Sequence, residues 1–152
     1  MNKILIVSFA LLVNNLNSEE NKINLYELYK ELHANPELSY QEIETSNKLA
    51  VILKNIGYEV TQNVGGNGVV ALLNNGEGKT VMLRADMDGL PVEEKTRADF
   101  ASKKKAIDPE GNEVFTMHAC GHDVHMSVLI GAAEFLFNCL LYTSPSPRDH
   151  QP

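Results

Sequence analysis

The sequence predicts a mixed α/β domain in which helices pack on a sheet. Two amphipathic helical stretches come first, strand-like apolar runs follow, and a further apolar helix closes the pattern. The runs at 69–73 and 80–85 are nearly continuous in apolar residues, as expected of strands covered on both faces. With 152 residues there is room for one domain of ordinary size. Its 43% hydrophobic and 22% charged content is that of a globular protein. A formal charge of −7, with no basic stripe, argues against nucleic acid as a partner. The one dense basic run, Lys103-Lys104-Lys105, fits a solvated loop. Two cysteines are too few for a disulfide framework.

Residues 1–18 have the pattern of a secretory signal: Lys3, an apolar stretch over 4–13, then polar Asn14-Asn15-Leu16-Asn17-Ser18. The apolar part is shorter than the about 20 residues that cross a bilayer, so no stable membrane span is expected. An exported (periplasmic or secreted) protein beginning near Glu19 follows; a first β-strand in a cytoplasmic protein is the competing interpretation.

Asn24 and Glu27 have capping spacing, and Leu25, Leu28, Tyr29 and Leu32 then follow the i, i+3, i+4, i+7 rule. His33-Ala34-Asn35-Pro36 ends this helix, because the residue before proline avoids helical angles. Ser39-Tyr40-Gln41-Glu42 is an S-x-x-E box for a second helix, with Ile43, Leu49, Ala50, Leu53 and Ile56 inward and Gly57 as its stop. Both helices are expected to be packing elements without chemistry. A short strand over 58–64 leads into the turn Gly65-Gly66-Asn67-Gly68, which lacks the spacing and lysine of a P-loop. Strands 69–73 and 80–85 are expected to form a hairpin through 74–78. The segment 93–116 is polar and irregular, with a turn at Asp108-Pro109-Glu110-Gly111. Asp123 is placed to cap a last helix carrying Met126, Leu129, Ile130, Ala133 and Phe137 on one face. From Cys139 the helical pattern breaks into Ser- and Pro-rich sequence matching one reading frame of a sequencing-library adapter. The expected boundaries are therefore a signal at 1–18, one domain over 19–138 and non-native sequence at 139–152.

The chemistry concentrates in Met117-His118-Ala119-Cys120-Gly121-His122-Asp123-Val124-His125-Met126. Cys120 and His122 stand at i, i+2, so an extended or turning backbone can aim both at one point. Gly121 between them permits angles closed to other residues. Thiolate with imidazole suits zinc and similar ions, but two ligands do not complete a site. Single cysteines and histidines are commonly core or surface residues, and Cys120 could instead act as a nucleophile activated by His122. His118 and His125 are candidates for outer positions around the ion or substrate. Asp86 and Asp88 have the same i, i+2 spacing at a strand end, where α/β sheets place ligand sites. Alone they would be turn formers; with the Cys-His cluster they become candidate oxygen donors to one centre.

Three blocks thus stand in fixed order: Leu32-His33-Ala34-Asn35-Pro36-Glu37-Leu38-Ser39, then Leu83-Arg84-Ala85-Asp86-Met87-Asp88-Gly89-Leu90-Pro91, then Met117 to Asp123. Together they resemble the metal-dependent amidohydrolases that include hippurate hydrolase, N-acyl-amino-acid amidohydrolases and plant auxin-conjugate hydrolases, within the aminoacylase and carboxypeptidase G superfamily. The resemblance runs from about Leu25 to Phe137. It implies the N-terminal part of a layered α/β/α, zinc-peptidase-like catalytic domain, with a lid or dimerisation domain absent from this chain and homodimerisation through that lid. It implies two divalent ions, zinc or manganese, cleaving the amide of a small N-acyl or N-aroyl amino acid. By position Cys120 and His122 match metal ligands, Cys120 shared between the ions, and Asp88 matches the catalytic aspartate that orients the site. Asp86 stands where sister families carry a ligand histidine. The family's glutamate pair, with its general base, and two further ligand histidines have no counterpart here, so the chain alone is expected to be inactive. Glu93-Glu94 is an adjacent pair but precedes the cysteine motif and does not match. The alternatives are a thiol-dependent amidase using Cys120 and a non-catalytic metal-binding module.

Overall fold

The computed structural model describes residues 22–141; the signal expected at 1–18 and all but the first residues of the tail expected at 139–152 lie outside them. The described part is mixed α/β, as expected: α1 (Leu25–Ala34), α2 (Ile43–Ile56), β1 (Glu59–Val64), β2 (Gly68–Leu72), β3 (Lys105–Ile107), β4 (Glu113–Phe115) and α3 (His122–Leu141). Among these residues no helix is long and apolar enough to cross a membrane.

The three helices bury one common core. Leu28 and Leu32 of α1, Leu49 and Leu53 of α2, and Met126, Ile130 and Ala133 of α3 interlock, with Val60, Val69, Ala71, Ala85 and Met87 packed at its edge. Local signals set the ends of the helices. Asn24 caps α1 by accepting the Glu27 N–H at 3.1 Å. Gly57, at φ 121°, closes α2 in a conformation that side-chain-bearing residues rarely adopt. The start of α2 differs from the expected box. Tyr40 takes a left-handed φ of 66°, and the Glu37 carboxylate accepts the Glu44 and Thr45 N–H groups at 3.2 and 2.8 Å. Ser39 makes no cap, and Ile43, expected inward, is exposed.

The strands also pair differently from the expected hairpin. β1 pairs antiparallel with β2 through the glycine turn, and residues 80–85 form no strand among the described residues. Tight Gly65-Gly66-Asn67 connects neighbours directly, whereas the run 80–85 opens with Val81 and Met82, 81% and 83% exposed, and meets the core at its end through Ala85. Helices cover one face of β1–β2 only; Val70 and Leu72 are about half exposed on the other, against the two-sided burial expected. The segment 93–116 is more regular than its polarity suggested: β3 and β4 pair around a turn in which Asp108 accepts the Asn112 N–H at 2.7 Å. Helix α3 runs through Cys139 to Leu141, past the expected break.

What positions the site is a three-way stitch between distant segments. The Gly89 N–H donates to the Glu37 carbonyl at 2.6 Å, and Leu90 and Met117 exchange backbone bonds at 2.8 and 3.0 Å. Thr116, 1% exposed, adds a hydroxyl bond to the Pro36 carbonyl at 3.2 Å. Gly89 is needed for close approach: a Cβ there would lie 2.8 Å from the Pro36 Cβ and 3.3 Å from the Glu37 oxygen.

Candidate metal centre

The stitch brings the three sequence blocks to one corner. Asp88, on the segment that reaches the stitch, takes the Ser39 hydroxyl on Oδ2 at 2.9 Å. Its Oδ1 lies 3.0 Å from His122 Nδ1, and its main-chain carbonyl 2.9 Å from the same nitrogen. His122 is thus oriented through Nδ1–H, which leaves the Nε2 lone pair for another partner. This is the arrangement by which an aspartate commonly fixes a metal-bound imidazole. Gly121, at φ 78°, makes the turn from Cys120 into α3, and its N–H closes on the His118 carbonyl at 3.2 Å. Cys120 is exposed on that turn.

His118 lies behind, 4% exposed, with neither ring nitrogen hydrogen-bonded. A buried imidazole without a hydrogen bond is costly. Burial lowers its pKa, with the His122 and His33 rings acting the same way, against the raising influence of Asp123 and the Asp88 backbone. His125 is exposed beside His122, ring centres 5.9 Å apart.

Of the candidates, then, Asp88 and His122 come into contact, Cys120 and His118 share their turn, and His125 lies alongside. Asp86 is not brought in: its carboxylate faces Arg84 at 2.5 Å. Among the described residues no three His, Cys, Asp or Glu side chains converge tightly enough to hold an ion. The donor chemistry of Cys120 and His122 fits a borderline divalent ion, but as an incomplete set.

Sequence reasoning missed a second polar group. His33, at the end of α1, lies with Nδ1 2.6 Å from Asp123 Oδ2 and Nε2 3.0 Å from Glu94 Oε1. Asp123, expected as a cap, sits inside the first turn of α3 with that carboxylate turned to His33 and is 1% exposed. Glu94, left without a role in the sequence, is fully buried at its side chain. The one available signal was a polar residue directly after Leu32, four positions beyond Tyr29 on the packed side of an amphipathic helix.

A hollow of about 220 Å³ beside Ser39 is lined by Tyr40, Glu42, Asn67 and Met87. A larger one along α1 and α3, lined by Leu25, Tyr26, Tyr29 and Val124, contains none of the candidate ligands.

Residues 82–140 match the model of peptidase family M20/M25/M40. Thermostable carboxypeptidase 2 of Saccharolobus solfataricus is 42% identical over 129 residues, which is 82% of this chain and 30% of that protein. Hippurate hydrolase of Campylobacter jejuni is 43% identical over 107 residues, 70% of this chain and 26% of the relative. Among solved structures, the Bacillus subtilis YxeP protein, described as a dinuclear metal-binding peptidase of the M20 family, superposes with a TM-score of 0.65 at 37% identity. That match covers 75% of this chain and 30% of the other. The chain therefore spans roughly a third or less of the length of these relatives.

Proposed function

The chain carries M20/M25/M40 peptidase sequence, and from that premise we propose that it supplies the Cys120–His122 part of a divalent-metal centre for amide hydrolysis. The substrate class is a small N-acyl amino acid or a related amide with a free carboxylate beside the scissile bond, and the native ions are two, zinc or manganese. The observation that supports this most is the Ser39–Asp88–His122 chain of bonds, which orients one imidazole toward an outside partner next to an exposed thiol.

Bound there, a divalent ion supplies a Lewis acid for the amide carbonyl and an acidified water. The chain's own residues prepare that chemistry. Cys120 and His122 would hold the ion, Asp88 fixes the His122 tautomer, and Ser39 keeps Asp88 from rotating away. A thiol mechanism has less support, since no imidazole is hydrogen-bonded to the Cys120 sulfur among the described residues.

Equilibrium dialysis against zinc tests the ion site: Cys120→Ala and His122→Ala should each weaken binding about tenfold or more. Unchanged metal content in both variants would discredit it. In a longer parent protein that carries the glutamate pair, hydrolysis of hippurate abolished by a chelator and restored by zinc or manganese supports the metal route. Chelator-proof hydrolysis lost on alkylation supports the thiol instead.

A further inference from the structure

The His33 cluster has no part in the chemistry above, yet it is the most buried charged assembly among the described residues. A neutral imidazole carries one N–H, so with a carboxylate at each end one nitrogen would set its lone pair against an oxygen. Contacts of 2.6 Å to Asp123 and 3.0 Å to Glu94 suit an imidazolium that donates at both ends. Burial lowers the His33 pKa, but the bonds to Glu94 and Asp123 prevail and hold it above its ordinary value. Burial would raise the Glu94 pKa; the Thr96 hydroxyl, His33 and the Ser102 N–H overcome it and hold it low. From the other packed elements, Tyr29 and Phe100 wall the ring at 5.6 and 5.3 Å, and His118 is the remaining titratable neighbour.

The connections matter more than the charge. Glu94 accepts the Ser102 N–H at 2.5 Å and the Thr96 hydroxyl, gathering residues 94–102 into a closed loop. His33 fastens that loop, 61 residues away in sequence, to Asp123, 90 residues away. Asp123 directly follows His122 in the first turn of α3. We propose that His33, as an imidazolium shared by Asp123 and Glu94, is a positioning residue that locks the 94–102 loop to the start of α3. The lock thereby presets the turn carrying Cys120 and His122 for a cation, a final clause that rests on the ion-binding reading above.

Long-range proton–nitrogen NMR of the 152-residue chain at neutral pH should show both His33 ring nitrogens protonated; a neutral tautomer would overturn the lock whether or not metal binds. In His33→Gln one amide cannot satisfy both carboxylates. Ser102 should then exchange its N–H about tenfold faster or more, with the β1–β2 amides unchanged. Unaltered Ser102 protection overturns the proposal. Should that variant not fold, Asp123→Asn, which weakens the other end of the lock and leaves the Glu94 bond to Ser102 in place, is read in the same way.

Two charged groups give the protection a pH window. His33 has a raised folded pKa, so its contribution is full below its unfolded value of about 6.5 and is lost as pH rises through the folded one. Glu94 has a lowered folded pKa, so its contribution is present above its unfolded value and lost as pH falls through the folded one. A merely steric role would leave Ser102 protection flat across that range. Cobalt titration completes the test: His33→Gln should bind about tenfold more weakly than the unaltered chain. Equal affinity would mean that the lock does not preset the turn. An unaltered chain that takes up no cobalt instead sinks the ion-binding reading, with the NMR and exchange results still deciding the lock.

Discussion

Two neighbouring regions invert the usual rule of what goes inside. At the stitched corner, histidines and carboxylates are buried: His33, His118 and Asp123 are all under a tenth exposed. A few residues upstream, Val81 and Met82 stand almost wholly in solvent, although the sequence marks them as a strand. Partners, and not side-chain polarity, account for the difference. Each buried group except His118 has a bond from a distant segment, whereas the apolar run has no pairing strand among the described residues. Burial of polar groups is tolerable only when bonded, and burial of apolar ones only when something covers them.

The largest test of this contrast lies beneath the corner. Met126 is 1% exposed in the three-helix core, three residues beyond Asp123 on α3. Met126→Ala should cost about 2–5 kcal/mol in urea unfolding. A loss well under that would mean the described helices do not share one core, and the polar corner would lack its support.

That core was readable because its signals are local. Asn24 capping α1 and Gly57 ending α2 depend on residues within one turn, and the i, i+3, i+7 spacing of Leu25, Leu28 and Leu32 needs no partner to be recognised. The box at Ser39 failed for the converse reason. Its hydroxyl is drawn to Asp88, 49 positions on, and Glu37 takes over the cap from outside the motif. Cys120, His122 and Asp88 could be nominated from spacing, but that Asp88 holds His122 comes only from folding. His33 with Glu94 and Asp123 was invisible because no local pattern records a bond across 61 or 90 residues.

An intermediate effect should come from the stitch. Gly89→Ala pushes a methyl against Pro36 and the Glu37 carbonyl, where backbone has little room to give. About 1–3 kcal/mol of destabilisation is expected. Exchange of the Leu90 and Met117 amides should quicken, while the Glu27 and Gly57 amides, bonded in the caps set by local sequence, keep their protection. Uniform loosening of every element would mean that the corner and the helical core unfold as one unit, and the contrast between them would then be one of composition alone.

The smallest effect belongs to the exposed run. Val81→Ser removes apolar surface from a site already in water, so the folded state loses almost no burial and stability should stay within about 0.5 kcal/mol. The direction of any solubility change is also set, because an exposed apolar stretch without a pairing partner invites association between chains and a hydroxyl there opposes it. A destabilisation above about 1 kcal/mol would require Val81 to be covered in solution. In that case residues 80–83 would have found a strand to pair with, and the inversion between the two regions would hold only at the polar corner.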